Sequence, residues 1–500
     1  MRREMSEKER LPLAVDKMLR RSNPWWTGAE RIALPPYRRW AFHIALKKLQ
    51  AGVAPIVALR GPRQVGKTTL QEQVIDHLLS TGTVQPHHIL RVQFDEIPSL
   101  GEVQDPVLAI ARWYEDWILD STFNGAAHQG QPAYLFFDEI QNLDAWAPQL
   151  KSLVDHHTVK AFVTGSSALR IEAGRDSLAG RITSVELGTL LLREIAALRF
   201  GDDLKPFLPD NGLEPLRTQA FWQELQAYGV AHAEQRDRAF AAFSERGGYP
   251  LTHVRADMPW PEVADLLNET VIQRVIQHDL RFGRKGARRD AHVLEGVFRA
   301  ACYYAGQSPG QSLYLDETRR ALGADVGWQR ILAYLKLLDG SMLLKLVRPL
   351  ELRLKRPHGN YKLCLCDHAL RASLIQEQIP IHAAGLASAD HLRDLAGHIV
   401  ESVVGYFLGG MPHLGLAHLP AREPSPEVDY VMTVGDVRIP VEIKYQQRID
   451  SHRDTFGLRA FIEKTVYNTA FGILVTLDDS ARVLDPRIVC ISLPSLLLLR

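Results

Sequence analysis

The run Gly61-Pro62-Arg63-Gln64-Val65-Gly66-Lys67-Thr68-Thr69 constrains this chain more than any other stretch. It lies between the apolar Ile56–Leu59 and an apolar-periodic segment from Leu70 to Leu79. It therefore reads as a loop joining a buried strand to a helix. Glycines let backbone N–H groups wrap a phosphate, and the helix N-terminus adds the positive end of its dipole. In this pattern Lys67 reaches the outer phosphates of a nucleoside triphosphate and the Thr68 hydroxyl ligates Mg²⁺. The whole run Gly61 to Thr69 is thus the expected cradle, with ATP and Mg²⁺ as its ligands.

The surrounding sequence fits the sheet such a loop needs. Ile56–Leu59, Ile89–Phe94, Ala133–Phe137, Ala161–Val163 and Val185–Leu190 are short, unalternating apolar runs. That is the pattern of strands buried on both faces and linked by helices, so residues 51–200 are expected to form a parallel α/β sheet. Asp138 and Glu139 follow the apolar run Ala133–Phe137. Asp138 is expected to hold Mg²⁺ through water, and Glu139 to orient or deprotonate the attacking water. Asp95 and Glu96 end an earlier strand and read either as a secondary contact or as an exposed loop. Ser166, at the tip of the strand ending Thr164-Gly165-Ser166, is the polar residue expected between the γ-phosphate and the water. Arg181, favoured over Arg175, is the candidate arginine finger, reaching a neighbouring subunit's nucleotide in a homo-oligomer. A surface arginine in a solvated loop is the plain alternative.

Composition narrows the partners. Lys and Arg total 59 against 58 Asp and Glu, so no global positive field marks a nucleic-acid binder. Any such role falls to local patches. Residues 1–50 are basic and carry Trp25-Trp26, which suits a nucleic-acid arm or, with more weight, a leading helix packed on the next domain. Five basic residues fall within 281–289, flexible with glycine and suited to tracking phosphates. The four cysteines are too sparse for a disulfide framework. The charged start and the lack of a long apolar run predict a cytoplasmic protein without a membrane span.

The middle of the chain reads as helical over 201–287, with a break at Gly247-Gly248-Tyr249-Pro250. Residues 288–366 follow with a helix over Leu313–Leu322, a helix over Trp328–Leu338 and an alternating stretch, Met342–Leu354. Two helices and a wing are a DNA-reading geometry that also serves protein docking. In residues 391–500, Glu442 and Lys444 lie two apart on a predicted strand and share a face. A hairpin can bring Asp429 beside them, and Glu401 lies on a preceding helix. Such a set can hold Mg²⁺ at Asp429 and Glu442, with Lys444 polarising a water.

Taken together, the phosphate loop, Asp138-Glu139-Ile140-Gln141-Asn142-Leu143 with Trp146 and Lys151, Thr164-Gly165-Ser166, Ser177–Arg181 and Gly247–Pro250 resemble a large prokaryotic family. It comprises AAA-type (AAA+ superfamily) P-loop ATPases with a C-terminal domain of unknown function. The resemblance implies an α/β AAA-type core, a helical lid, a winged-helix region and a nuclease-like C-terminal α/β domain. The C-terminal residues resemble the PD-(D/E)xK nuclease superfamily, Asp429 matching its metal-binding Asp, Glu442 and Lys444 its E-x-K, and Glu401 its helix acid. Val428 stands in place of the usual proline, a substitution that superfamily tolerates; the alternative is a fossil site, with Glu442 and Lys444 merely paired in a degenerate scaffold. The expected division is a basic arm over 1–50, the ATPase core over 51–200, the lid and connector over 201–287, the winged helix over 288–366 and the nuclease-like domain over 391–500. The expected function is ATP hydrolysis acting on or recruited to DNA. The rival is a nucleotide-dependent switch that docks a protein partner and never cuts.

Overall fold

The computed structural model describes residues 11–97, 100, 103–165, 177–208, 212–279, 290–322, 326–351, 359–421 and 426–500. Ser166, Arg175 and the basic segment 281–289 lie outside them. Contacts divide the chain into two units, Met1–Leu187 and Gly188–Arg500.

In the N-terminal unit five parallel strands form one sheet: β1 (Ile56–Arg60), β2 (Ile89–Gln93), β3 (Ala133–Asp138), β4 (Val159–Gly165) and β5 (Ile182–Glu186). Their order is β2-β3-β4-β1-β5. β1 and β3 are buried along their whole length, as the unbroken apolar runs predict. Because β4 lies between β1 and β3, the loop after β1 and the acids ending β3 face each other across the tip of β4. Leu59 pairs with Thr164, and Phe137 with Val163.

The exposed edge of β2 is managed from the N-terminal segment. The Asn23 side chain donates to the Arg91 carbonyl at 2.8 Å and accepts from the Arg91 amide at 2.7 Å. Trp25 and Trp26 both donate indole N–H groups to the Ile89 carbonyl. These bonds satisfy backbone groups that a bare edge would offer to another chain. Val15 and Leu19, on the helix Leu13–Ser22, are fully buried in the same core.

The C-terminal unit holds a seven-stranded sheet, β12-β11-β10-β9-β8-β6-β7. Its strands are β6 (Leu344–Pro349), β7 (Lys362–Leu365), β8 (Gly415–Leu419), β9 (Val428–Val434), β10 (Val437–Lys444), β11 (Gly472–Thr476) and β12 (Ile488–Ser492). Three helices, Ala291–Tyr303, Gln311–Leu322 and Trp328–Gly340, precede the antiparallel pair β6–β7. β6 also pairs in parallel with β8 through Arg348 and Pro349, so the hairpin extends the sheet. From residue 393 the order is a helix (Arg393–Gly409), the antiparallel strands β8, β9 and β10, a helix (Phe456–Ile462), then β11 and β12 in parallel. Among the described residues no helix is long and apolar enough to cross a membrane.

Candidate functional site

The loop after β1 is shaped by steric limits. A Cβ on Gly61 would sit 2.1 Å from the Leu187 carbonyl oxygen, so only glycine fits where β1 hands over to the loop. Arg63 and Gln64 turn the chain, Gln64 with a φ of 61°. Val65 is buried, and its carbonyl accepts from Arg39 at 2.7 Å. Gly66 precedes the helix Lys67–Ser80, whose first turn carries Thr68 and Thr69. The Lys67 ammonium lies inside the loop, 3.0 Å from the Gly61 carbonyl and 2.7 Å from that of Pro62. Backbone N–H groups, a helix N-terminus and a buried ammonium thus converge on one concavity, which suits phosphate.

Opposite it, the Thr68 hydroxyl donates to Asp138 Oδ2 at 2.9 Å, and the Thr164 hydroxyl donates to Asp138 Oδ1. Asp138 is 2% exposed. Burial pushes its carboxyl above the ordinary value, the two hydroxyls pull it back, and neighbouring Glu139 pushes it up again. Glu139 ends β3 with a φ of 49°, and its amide donates to Thr164 Oγ1 at 3.3 Å. Gln141 donates to its carboxylate. The left-handed turn at Glu139 is a local strain that the surrounding strand ends hold in place. The Thr68 hydroxyl and a buried carboxylate in contact are the donor set expected for Mg²⁺ with a triphosphate, so these residues fit that ion.

Residues 53–196 match the family model described as an AAA domain. Taken with the parallel sheet and the filled phosphate-loop motif, this match supports an AAA-type P-loop fold for residues 53–196. Two proteins described as uncharacterized, from Mycobacterium tuberculosis and Mycobacterium bovis, are each 31% identical over 149 residues. That stretch covers 29% of this chain and 27% of each relative's length. Among solved structures, the chain overlaps the Walker-type ATPase of Pyrococcus abyssi at 16% identity and a TM-score of 0.36, covering 69% of this chain and 99% of that one. The Aeropyrum pernix ORC1 protein in complex with DNA overlaps at 12% identity and a TM-score of 0.26, over 69% and 94% of the two chains.

Other candidate residues of the ATPase domain separate clearly. Arg181 is bound to Asp155 through two nitrogens, one of them at 3.0 Å, and donates to the Ala179 carbonyl. Its side chain remains 34% exposed. Asp95 lies within the electrostatic reach of Glu139 and Arg63, and burial raises its carboxyl above the usual value. Glu96 accepts from Gln93 at 3.2 Å. Ser166 lies outside the described residues. Sequence reasoning passed over Thr164, Gln141 and Arg39. A polar residue ending the buried strand next to Asp138 was a usable signal for Thr164, whereas nothing local marked Arg39, whose partner is 26 positions away.

The C-terminal unit brings together Glu401, Asp429, Glu442 and Lys444. They line a cavity of about 630 Å³. Lys444 donates to Glu442 Oε1 at 2.7 Å, and Asp429 Oδ2 accepts from the Ile443 amide at 2.9 Å. Glu442 Oε2 is buried without a hydrogen-bond partner. Burial and the neighbouring Asp429 push the Glu442 carboxyl up to about 8. A fifth residue, absent from the sequence reading, completes the cluster. Lys362, on β7, donates to Asp429 Oδ1 at 2.8 Å and lies 2.7 Å from Glu401 Oε2. Among the described residues, no group of three or more His, Cys, Asp and Glu side chains is arranged to hold a metal ion.

Proposed function

We propose that this chain is an Mg²⁺-dependent ATPase. The contact between Thr68 and Asp138, beside the Lys67 ammonium, carries the reading. Lys67 and the loop amides bind the β- and γ-phosphates, and Thr68 and Asp138 hold Mg²⁺, which when bound neutralises charge on the phosphate oxygens. Glu139 orients a water toward the γ-phosphorus and takes its proton. The new P–O bond forms as the bond to the leaving ADP oxygen breaks, giving ADP and inorganic phosphate. Gln141 steadies the Glu139 carboxylate, and Ser166, which follows β4 in the sequence, is the residue assigned to the γ-phosphate. Arg181 completes the site of a neighbouring subunit in a homo-oligomer.

The ATPase acts on or is recruited to DNA. The basic segment 281–289 supports this, as does the element order of three helices and a hairpin over 291–365, which suits a winged helix. The order helix, three antiparallel strands, helix and parallel strand over 393–476 supports a PD-(D/E)xK-like C-terminal domain. ATP turnover by the full chain with and without DNA is the test. Lys67→Ala is expected to lose nucleotide binding, and Glu139→Gln to bind ATP with turnover at least ~100-fold lower. Normal turnover by Glu139→Gln would refute its role. DNA that neither binds nor changes turnover would refute recruitment. A second reading, a nucleotide-dependent switch with a non-cutting scaffold, is favoured by one observation, the seat of Lys362 between Glu401 and Asp429.

A further inference from the structure

The four residues that resemble a nuclease set carry an extra member that such chemistry does not need. Lys362 is 2% exposed along its side chain and touches both Glu401 and Asp429. The Tyr430 ring lies 4.8 Å from the ammonium. Burial works against this charge, yet Asp429 and Glu401 more than offset it and hold the ammonium above the ordinary lysine value. In turn the Asp429 carboxyl is held low despite its own burial. The backbone at Lys362 is fixed as well. Its strand position pairs with Val347, and the next residue, Leu363, exchanges bonds with Gly306 and Gln307.

A divalent ion at Asp429 would stand beside this ammonium in a poorly solvated site, where like charges repel strongly. Swinging Lys362 away would need a buried charge to find new partners. The residues therefore do not fit a resident Mg²⁺. The geometry points to Lys362 as the built-in cation of this site, occupying the place of the metal that the nuclease-like carboxylates would otherwise hold. The site is a latent metal centre, closed by one lysine. Glu442 Oε2, buried, unpartnered and lining the cavity, is the acceptor left over by that replacement. The inference rests on the nuclease-like reading of the carboxylates and is independent of ATP hydrolysis.

Terbium provides the probe, because Tyr430 is close enough to sensitise an ion at the ammonium's position. The full chain, without nucleotide, is titrated with Tb³⁺ and separately with Mn²⁺, reading luminescence and melting temperature. The unaltered protein is expected to give no response that Asp429→Asn removes. Lys362→Met is expected to gain a site at least about tenfold tighter than any in the unaltered protein, with Mn²⁺ raising its melting temperature. Asp429→Asn in that background abolishes the gain, and Tyr430→Phe dims only the luminescence. Should Lys362→Met fail to fold, Lys362→Met with Glu401→Gln preserves the net charge and leaves Asp429 and Glu442 as ligands. Metal binding by the unaltered protein that Asp429→Asn removes would overturn the inference while keeping the nuclease-like reading. Folded variants that bind no ion would overturn both.

Discussion

The Thr164 hydroxyl lowers the Asp138 carboxyl that burial raises, so one hydroxyl at the end of β4 tunes the expected Mg²⁺ ligand. Thr164→Val keeps the shape and removes the donor. A hydrogen bond to a charged group contributes about 1.5–3 kcal/mol, so the half-saturating Mg²⁺ concentration for ATP turnover should rise about tenfold or more. An unchanged Mg²⁺ requirement would detach Thr164 from the metal site. Arg181 poses the converse question, because Asp155 already binds its guanidinium. An exposed pair contributes little to stability, so Arg181→Ala should melt like the parent protein. Loss of its turnover, restored by mixing with Lys67→Ala subunits, would mark a finger acting in trans; normal turnover would leave a solvated surface pair. Residue-scale chemistry was legible where it was local. Lys67, Thr68, Asp138 and Glu139 stand in motifs a few positions long, and Glu442 and Lys444 share a strand face. Lys362 was not legible, since its partners Glu401 and Asp429 are 39 and 67 positions away, on a helix and on a strand that β7 does not pair with.

Elements repeat that division. β1 and β3 announce themselves because burial on both faces leaves an unbroken apolar run in each, whereas the half-buried β5 sits at Ile182–Glu186, upstream of most of the run Val185–Leu190. The joining of β6 to β8 does not announce itself, since Arg348 and Pro349 meet Ala417 and His418 across about seventy residues with no local signature. The turn at Gly306 bonds β7 and lies close against the helix Arg393–Gly409. Gly306 has a φ of 82°, its amide donates to the Leu363 carbonyl at 2.7 Å, and a Cβ there would lie 2.0 Å from the His398 carbonyl. Gly306→Ala therefore meets both backbone strain and a backbone clash. It should destabilise the C-terminal unit by about 3 kcal/mol or more, seen as a lower urea midpoint. A midpoint within experimental error of the parent would show that the turn relaxes freely. Because Glu401 lies one helical turn beyond His398, the same change should also disturb the seat of Lys362.

At the scale of the whole molecule, the C-terminal unit buries titrating groups of opposite effect, and their balance sets its pH optimum. Burial brings His253 and His418 down from 6.5 to about 4. The folded unit keeps both neutral while the unfolded chain takes up protons below about 6.5, so each removes up to about 3 kcal/mol as pH falls from 6.5 to 4. Glu442 acts in the other direction. With its folded value about 8 against 4.5, the folded unit holds a proton that the unfolded chain has released, so stability falls as pH rises toward 8. These three groups together contribute a stability that rises to about pH 6.5 and falls from there toward pH 8. His253 offers the cleaner test, because its Nε2 bonds the Gly247 carbonyl at 2.7 Å while Nδ1 is buried and unpartnered. His253→Gln can still donate to Gly247 but cannot take up a proton, so it should flatten the acidic limb. Glu442→Gln should flatten the alkaline limb and steepen the acidic one, because Glu442 opposes the histidines from pH 4.5 upward. Calorimetry from pH 5 to 9, following the transition that added ATP does not raise, reads both slopes. An acidic limb unchanged in His253→Gln would mean that His253 is protonated in the folded unit, with water reaching Nδ1.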